Sequence, residues 1–166
     1  MGEIDLIRIA YLACADTLPG SLTRRDDAFE HDAMVATLRP AFAARGIDLV
    51  EIDWRAPPGD FAGIATALIG TPWDYQDFPV EFLAKLEALE AGGIPVHNPP
   101  GVVRWNIDKR SLGDLAAAGV PTVPTVWHDN PGGGDVLAAM DHFAADSVVV
   151  KRQVGAGALG QHRFSR

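Results

Sequence analysis

Cysteine is nearly absent from this chain. Cys14 is the only one in 166 residues, which excludes an internal disulfide and any structural zinc site built on thiolates. A reducing, cytoplasmic compartment is the expectation that follows. Long apolar runs are missing as well: no stretch approaches the roughly 20 residues that a membrane span requires. Glu3 and Asp5 stand where a signal peptide would carry basic residues. Positive charge is scarce, with 14 Lys and Arg against 22 Asp and Glu and a formal net charge of −8. Without a basic tail or run there is nothing to neutralise a phosphodiester backbone, so nucleic acid and membrane are excluded as partners. What remains is a chain that is 48% hydrophobic and 22% charged, the balance of a globular protein long enough to bury a core.

Strand and helix patterns alternate through the first part of the chain. Ile7 to Ala13 is a short apolar run that reads as a buried strand, and the loop behind it carries the Pro19-Gly20 turn signal. From about Asp26 the period becomes helical, with Phe29, Ala33, Leu38 and Phe42 on one side and Gly46 at the stop. Pro40 predicts a kink or break within it. Ile47 to Trp54 and Ala65 to Gly70 read as further strands, followed by an amphipathic helix from Pro79 to Ala91, apolar at Phe82, Leu83, Leu86 and Leu89. Ile94 to His97 reads as a short strand beyond it. This alternation predicts an α/β fold with a doubly wound, Rossmann-like parallel sheet, and a first domain of residues 1–98 ending at the Asn98-Pro99-Pro100 linker.

In such sheets ligands bind beyond the carboxyl ends of the strands. Trp73, Asp74 and Tyr75, directly after the third strand, are therefore candidate substrate-binding residues, and Asp16, with Cys14, follows from the first strand by the same rule. The stretch Asp26, Asp27, Glu30, His31, Asp32 has the spacing to surround a cation. Acids at a helix start also complement its dipole, and that is the reading preferred here.

Residues 99–166 read as the beginning of a second domain. Asn106 is a plausible N-cap for a helix with Leu112, Leu115 and Ala116 on one face, ended by Gly119 and Pro121. Lys109 and Arg110 then fall in its first turn, where the dipole disfavours cations and backbone N–H groups favour an anion such as phosphate. A strand at Thr122 to Trp127, a turn at Pro131 to Gly134, a helix from about Asp135 to Ala145 and a strand at Val148 to Arg152 follow. Gly155, Gly157 and Gly160 match G-x-G-x-x-G, but Gln161 to Phe164 looks extended where a dinucleotide fingerprint needs a helix. Lys151 precedes the glycines instead of following them, so this is no Walker A loop. A strand, glycine turn, strand hairpin remains, of the kind whose backbone amides cover nucleotide phosphates in protein kinases. Lys151 at its mouth and Lys109 would give two lysines for one polyphosphate.

The run N-P-P-x-V-V-R-W-N-x-D-K-R-x-L from Asn98 to Leu112, the A-G-V-P-T-V-P-T-V-W that follows, and V-V-V-K before a glycine turn resemble the ATP-grasp superfamily of ligases. The resemblance is strongest to its small RimK-like group containing the cyclo-ligase of D-cycloserine biosynthesis, which the W-D-Y after the third strand also resembles. It implies a pre-ATP-grasp domain followed by the start of an α+β ATP-grasp subdomain. Lys109 and Lys151 would contact phosphates, and Gly155 to Gly160 would form the phosphate loop. It implies ATP and magnesium as cofactors, and small amino-acid-like carboxylate and amine substrates joined through an acylphosphate. Arg152 departs from the group, which usually has proline there. The magnesium ligands and catalytic residues would lie beyond Arg166, so the chain is expected to be truncated and inactive by itself. A nucleotide- or ligand-binding module without turnover is the alternative, and a flavodoxin-like phosphate binder a third reading.

Overall fold

The computed structural model describes residues 6–166; Glu3 and Asp5 lie outside the described residues. The chain forms two compact units, Met1–Arg104 and Trp105–Arg166.

In the first unit, four parallel strands, β1 (Ile7–Ala13), β2 (Ile47–Asp53), β3 (Ile64–Thr71) and β4 (Val96–His97), lie in the order β2-β1-β3-β4. The central β1 turns Ile9 and Tyr11 to one face, where they pack with Val35 and Leu49 and with the partly buried Leu38, Phe42, Ile47 and Leu68. Ala10 and Leu12 point the other way and are equally closed to solvent. A strand buried on both faces needs a helix on each. The strand order steps from β1 to β2 in one direction and from β3 to β4 in the other, so right-handed crossovers put α1 (Phe29–Ala43) and α2 (Pro79–Ala91) on opposite sides. Both expected layers are present.

The face that α1 buries differs from the apolar pattern. Phe29 is 66% exposed, and the buried positions are His31 and Val35, continued by Leu38 and Phe42 at helical spacing. A pattern that scores histidine as polar misses this register. The helix also runs past Pro40 to Ala43 without a break. In α2 all four expected residues, Phe82, Leu83, Leu86 and Leu89, are buried.

β3 carries an extra residue near its end: Leu12 pairs with Ile69 while Ala13 pairs with Thr71, leaving Gly70 as a bulge. Gly70 faces the α1 side, where a Cβ would meet the Tyr11 ring at 2.3 Å. The bulge breaks the alternation, so Thr71 turns to the same side and its hydroxyl lies 2.6 Å from His31 Nδ1. His31 Nε2 lies 2.8 Å from Glu51 Oε2, and Arg39 closes the chain on Glu51. His31 and Thr71 are both fully buried, and these partners satisfy them.

In the second unit, α3 (Pro100–Ile107) straddles the division, α4 (Ser111–Ala117) and α5 (Gly133–His142) follow, and β5 (Ser147–Val150) pairs antiparallel with β6 (His162–Ser165). Three expectations fail here. Asn106 lies inside α3 instead of capping a helix, and Lys109 and Arg110 precede α4 instead of occupying its first turn. Thr122 to Trp127 belongs to no strand. Pro121 and Pro124 have no N–H to give a ladder. α5 ends at His142, short of Ala145. No helix among the described residues is long and apolar enough to cross a membrane.

Gly70 generates the prediction. Gly70→Ala must displace the Tyr11 ring from the core and should destabilise the fold by about 1 to 3 kcal/mol, the usual cost of overpacking. Urea unfolding followed by circular dichroism measures it. An unchanged midpoint would show that the ring moves freely.

Candidate functional site

Neighbouring strands β1 and β3 leave for opposite faces, which makes the gap beyond their carboxyl ends the topological switch point of the sheet. The loops after both strands meet there. Cys14 closes the first onto the second: its N–H donates to Thr71 O at 3.2 Å, and its thiol lies 3.3 Å from the same oxygen. Burial pushes that thiol up to about 11, helped by Asp16, so it is protonated at neutral pH and is no nucleophile. The Thr17 hydroxyl donates back to Cys14 O at 2.8 Å, and Arg25 N–H donates to Asp16 O at 2.9 Å. The loop therefore folds over the strand end. Arg25 is held by Asp27 through Nε and Nη2, both at 2.8 Å, and lies 5.4 Å from the centre of the Trp73 ring. Asp16 and Trp73, predicted from separate loops, come together through Arg25.

Asp74 stands beside them with both oxygens taken. Trp54 Nε1 donates to Oδ1 at 2.7 Å and Arg55 pairs with Oδ2. Arg55 is itself stacked between Trp54, at 4.1 Å, and Phe78, at 4.3 Å. Asp74 thus fixes the wall of the cleft. Tyr75 turns inward against Phe82, ring centres 5.7 Å apart, and burial raises its pKa. The acidic stretch at the start of α1 disperses: Asp27 goes to Arg25, Asp32 to Arg24 and His31 into the core.

A second constellation lies in the second unit. Lys109, Lys151, Arg152, Gly155 and Gln161 are among the residues lining a cavity of about 170 Å³ under the loop between β5 and β6. Lys109 Nζ donates to Gly155 O at 2.6 Å, its N–H donates to Gln153 O at 3.0 Å, and Gln153 Nε2 donates to Asp108 Oδ2 at 2.6 Å. Tertiary contact with the hairpin therefore positions Lys109, in place of the helix dipole expected above. Its pKa is lowered, first by burial and then by the neighbouring charges of Lys151 and Arg152. Gly157 and Gly160 take φ of 60° and 65° and turn the loop, and a Cβ on Gly160 would come within 2.9 Å of Arg152 Cδ. A larger cavity of about 280 Å³, lined by Pro58, Phe61, Lys85 and Leu89 among others, has its one cation already on Ala56 O and over the Phe61 ring.

Comparison with known proteins identifies the scaffold. Residues 9–98 match the family described as D-cycloserine synthetase DcsG, N-terminal domain. The chain belongs to this family. The cycloserine biosynthesis protein DcsG of Streptomyces lavendulae is 36% identical over 100 residues, which is 60% of this chain and 32% of that protein. The crystal structure of D-cycloserine synthetase DcsG superposes with a TM-score of 0.73 at 30% identity, covering 95% of this chain and 50% of that one. The chain thus spans half or less of the DcsG proteins it matches.

Several residues of the two constellations carried no sequence signal. Arg25, Arg55 and Trp54 look like ordinary loop and strand-end residues until the fold brings them to Trp73 and Asp74. Arg152 appeared only as a departure from the resemblance.

The crowding of cations yields a titration prediction. Lys151→Met removes one like charge from beside Lys109, so the lowered Lys109 pKa should rise toward its ordinary value. ¹³C NMR of reductively methylated lysines, which keep their charge, follows it. An unmoved Lys109 resonance titration would show that Lys151 does not act on it.

Proposed function

We propose that this chain is the N-terminal part of an ATP-dependent carboxylate-amine ligase. In this reading residues 105–166 begin the ATP-grasp nucleotide-binding domain, and the switch-point cleft of the first unit takes a small, amino-acid-like substrate. The observation that carries it is the convergence of Lys109, Lys151 and Arg152 under one glycine-rich hairpin. Three cations lining one cavity, in a chain of net charge −8, form a place where an anion recovers the energy their mutual repulsion costs. A cavity of about 170 Å³ suits phosphate groups. It is smaller than the ~300 Å³ or more that a whole ligand pocket encloses, so the base and ribose would rest on other surfaces. Kinship with a synthetase supports the ligase reading over a storage or structural role.

The chemistry proposed is phosphoryl transfer to a carboxylate, followed by displacement of phosphate from the acylphosphate by an amine. Such a reaction depends on positioning and charge neutralisation more than on a side-chain nucleophile. Lys109 would hold its place by its bond to Gly155 and offer its remaining N–H donors to a phosphate oxygen. Lys151 and Arg152 would add charge from the strand end, and the amides of the loop would cover the other side. In this reading the residues at hand contribute cationic side chains, and the magnesium ligands are expected elsewhere in the protein; among the described residues no group of three or more His, Cys, Asp or Glu converges.

Two measurements on the whole protein test this. Lys109→Ala and Lys151→Ala should each weaken ATP binding by ~1.5 to 3 kcal/mol, the worth of a hydrogen bond to a charged group. Calorimetric titration reads it, and unchanged affinity in both variants would overturn the assignment. Asp74→Asn, by loosening Trp54 and Arg55, should lower turnover or raise the KM for the acceptor while ATP affinity stays nearly intact. Loss of ATP binding by a folded Asp74→Asn protein would place the cleft elsewhere.

A further inference from the structure

One oxygen of Asp16 has been left without a partner. Oδ1 is closed to solvent and accepts no hydrogen bond from the described residues. A buried acceptor in that state costs ~1 to 3 kcal/mol, more when charged, and native structures rarely leave one without a use.

Most of the donors around it are engaged elsewhere. The Thr17 hydroxyl donates to Cys14 O, and the Cys14 thiol, a weak donor, is directed to Thr71 O while also interacting with the Asp16 side chain. Arg25 gives its main-chain N–H to Asp16's own carbonyl and its Nε and Nη2 to Asp27. The guanidinium charge beside Asp16 is thus already matched by another carboxylate. Asp74, across the cleft, is matched by Arg55. Asp16 therefore keeps one carboxylate oxygen, Oδ1, that no donor among the described residues fills. It sits at the switch point, under the edge formed by Arg25 and Trp73, where the sheet topology puts a ligand.

We propose that Asp16 receives a primary ammonium group of the small ligand held between the loops that follow β1 and β3. This deepens the ligase reading and rests on it for the identity of the cleft. An ammonium supplies both things that Oδ1 lacks: a strong donor and a positive charge. A hydroxyl would supply the first without the second, and an anionic group would meet Asp16 unscreened. The competing occupant is a bound water, which satisfies a buried oxygen without selecting any ligand.

The test is an NMR titration of the intact chain, following backbone amides and the Trp73 indole, with four probes: ethanolamine, D-serine, L-serine and glycerate. The amines should shift Asp16, Thr17, Arg25 and the Trp73 indole at millimolar concentrations, and glycerate, which has the carboxylate but no amine, should not. Asp16→Asn keeps the shape and should weaken the ethanolamine response about tenfold or more, the effect of losing a charge-assisted hydrogen bond. If that variant does not fold, the probe series on the unaltered chain still decides. Equal shifts from glycerate, a response that survives Asp16→Asn, or no response to any amine because water alone serves the site would each overturn the proposal. None of these depends on the lysine cavity, so a failure of the nucleotide assignment is read separately from ATP titrations of the Lys109 and Lys151 variants.

Discussion

The end of β3 holds the first unit's cleft together. Thr71 is shared by three elements: its carbonyl takes the Cys14 N–H from the β1 loop, and its hydroxyl meets His31 from α1, which reaches on to Glu51 of β2. The Gly70 bulge makes this possible by turning a residue that would face the other helix toward α1. A buried polar chain of this kind is stable only when every member is matched. Its closure sets where Pro72, Trp73 and Asp74 emerge and therefore what the cleft can hold. The same sharing keeps Cys14 and Thr71 in the scaffold: both are buried with their polar atoms engaged.

The two constellations differ in sign. In the first unit Asp16 Oδ1 has no donor among the described residues, while Arg25 and Arg55 pair with Asp27 and Asp74. In the second, Lys109, Lys151 and Arg152 line one cavity, and burial, together with the neighbouring cations, lowers the pKa of Lys109. The ligands proposed above, a cationic group for one unit and a phosphate for the other, follow this division. The ion pairs elsewhere in the chain are mostly exposed and contribute little to stability.

Local sequence was a good guide where one physical effect dominates. The run Ile7 to Ala13 has no reading but a buried strand, and the apolar spacing of Phe82, Leu83, Leu86 and Leu89 has none but a helix face. It misled where tertiary contacts compete. Counting histidine as polar rotated the face of α1, because His31 is buried only by virtue of Thr71 and Glu51, forty and twenty residues away. The segment from Thr122 to Trp127 has the composition of a strand but contains Pro124, follows Pro121 and pairs with no strand among the described residues. The helix-dipole argument for Lys109 misplaced it, yet the pairing with Lys151 emerged through a contact between Lys109 and the hairpin loop.

By itself, then, the sequence determined the alternation of strands and helices and the two loops at the strand ends, because each follows from periodicity or turn chemistry over a few neighbouring residues. Only the tertiary structure decided which of those residues meet. Arg25 reaches Trp73, Arg55 clamps Asp74, and Asp16 Oδ1 is buried without a donor because segments distant in the chain are brought to one sheet edge. Burial and pairing at such an edge are properties of packing, and no local pattern carries them.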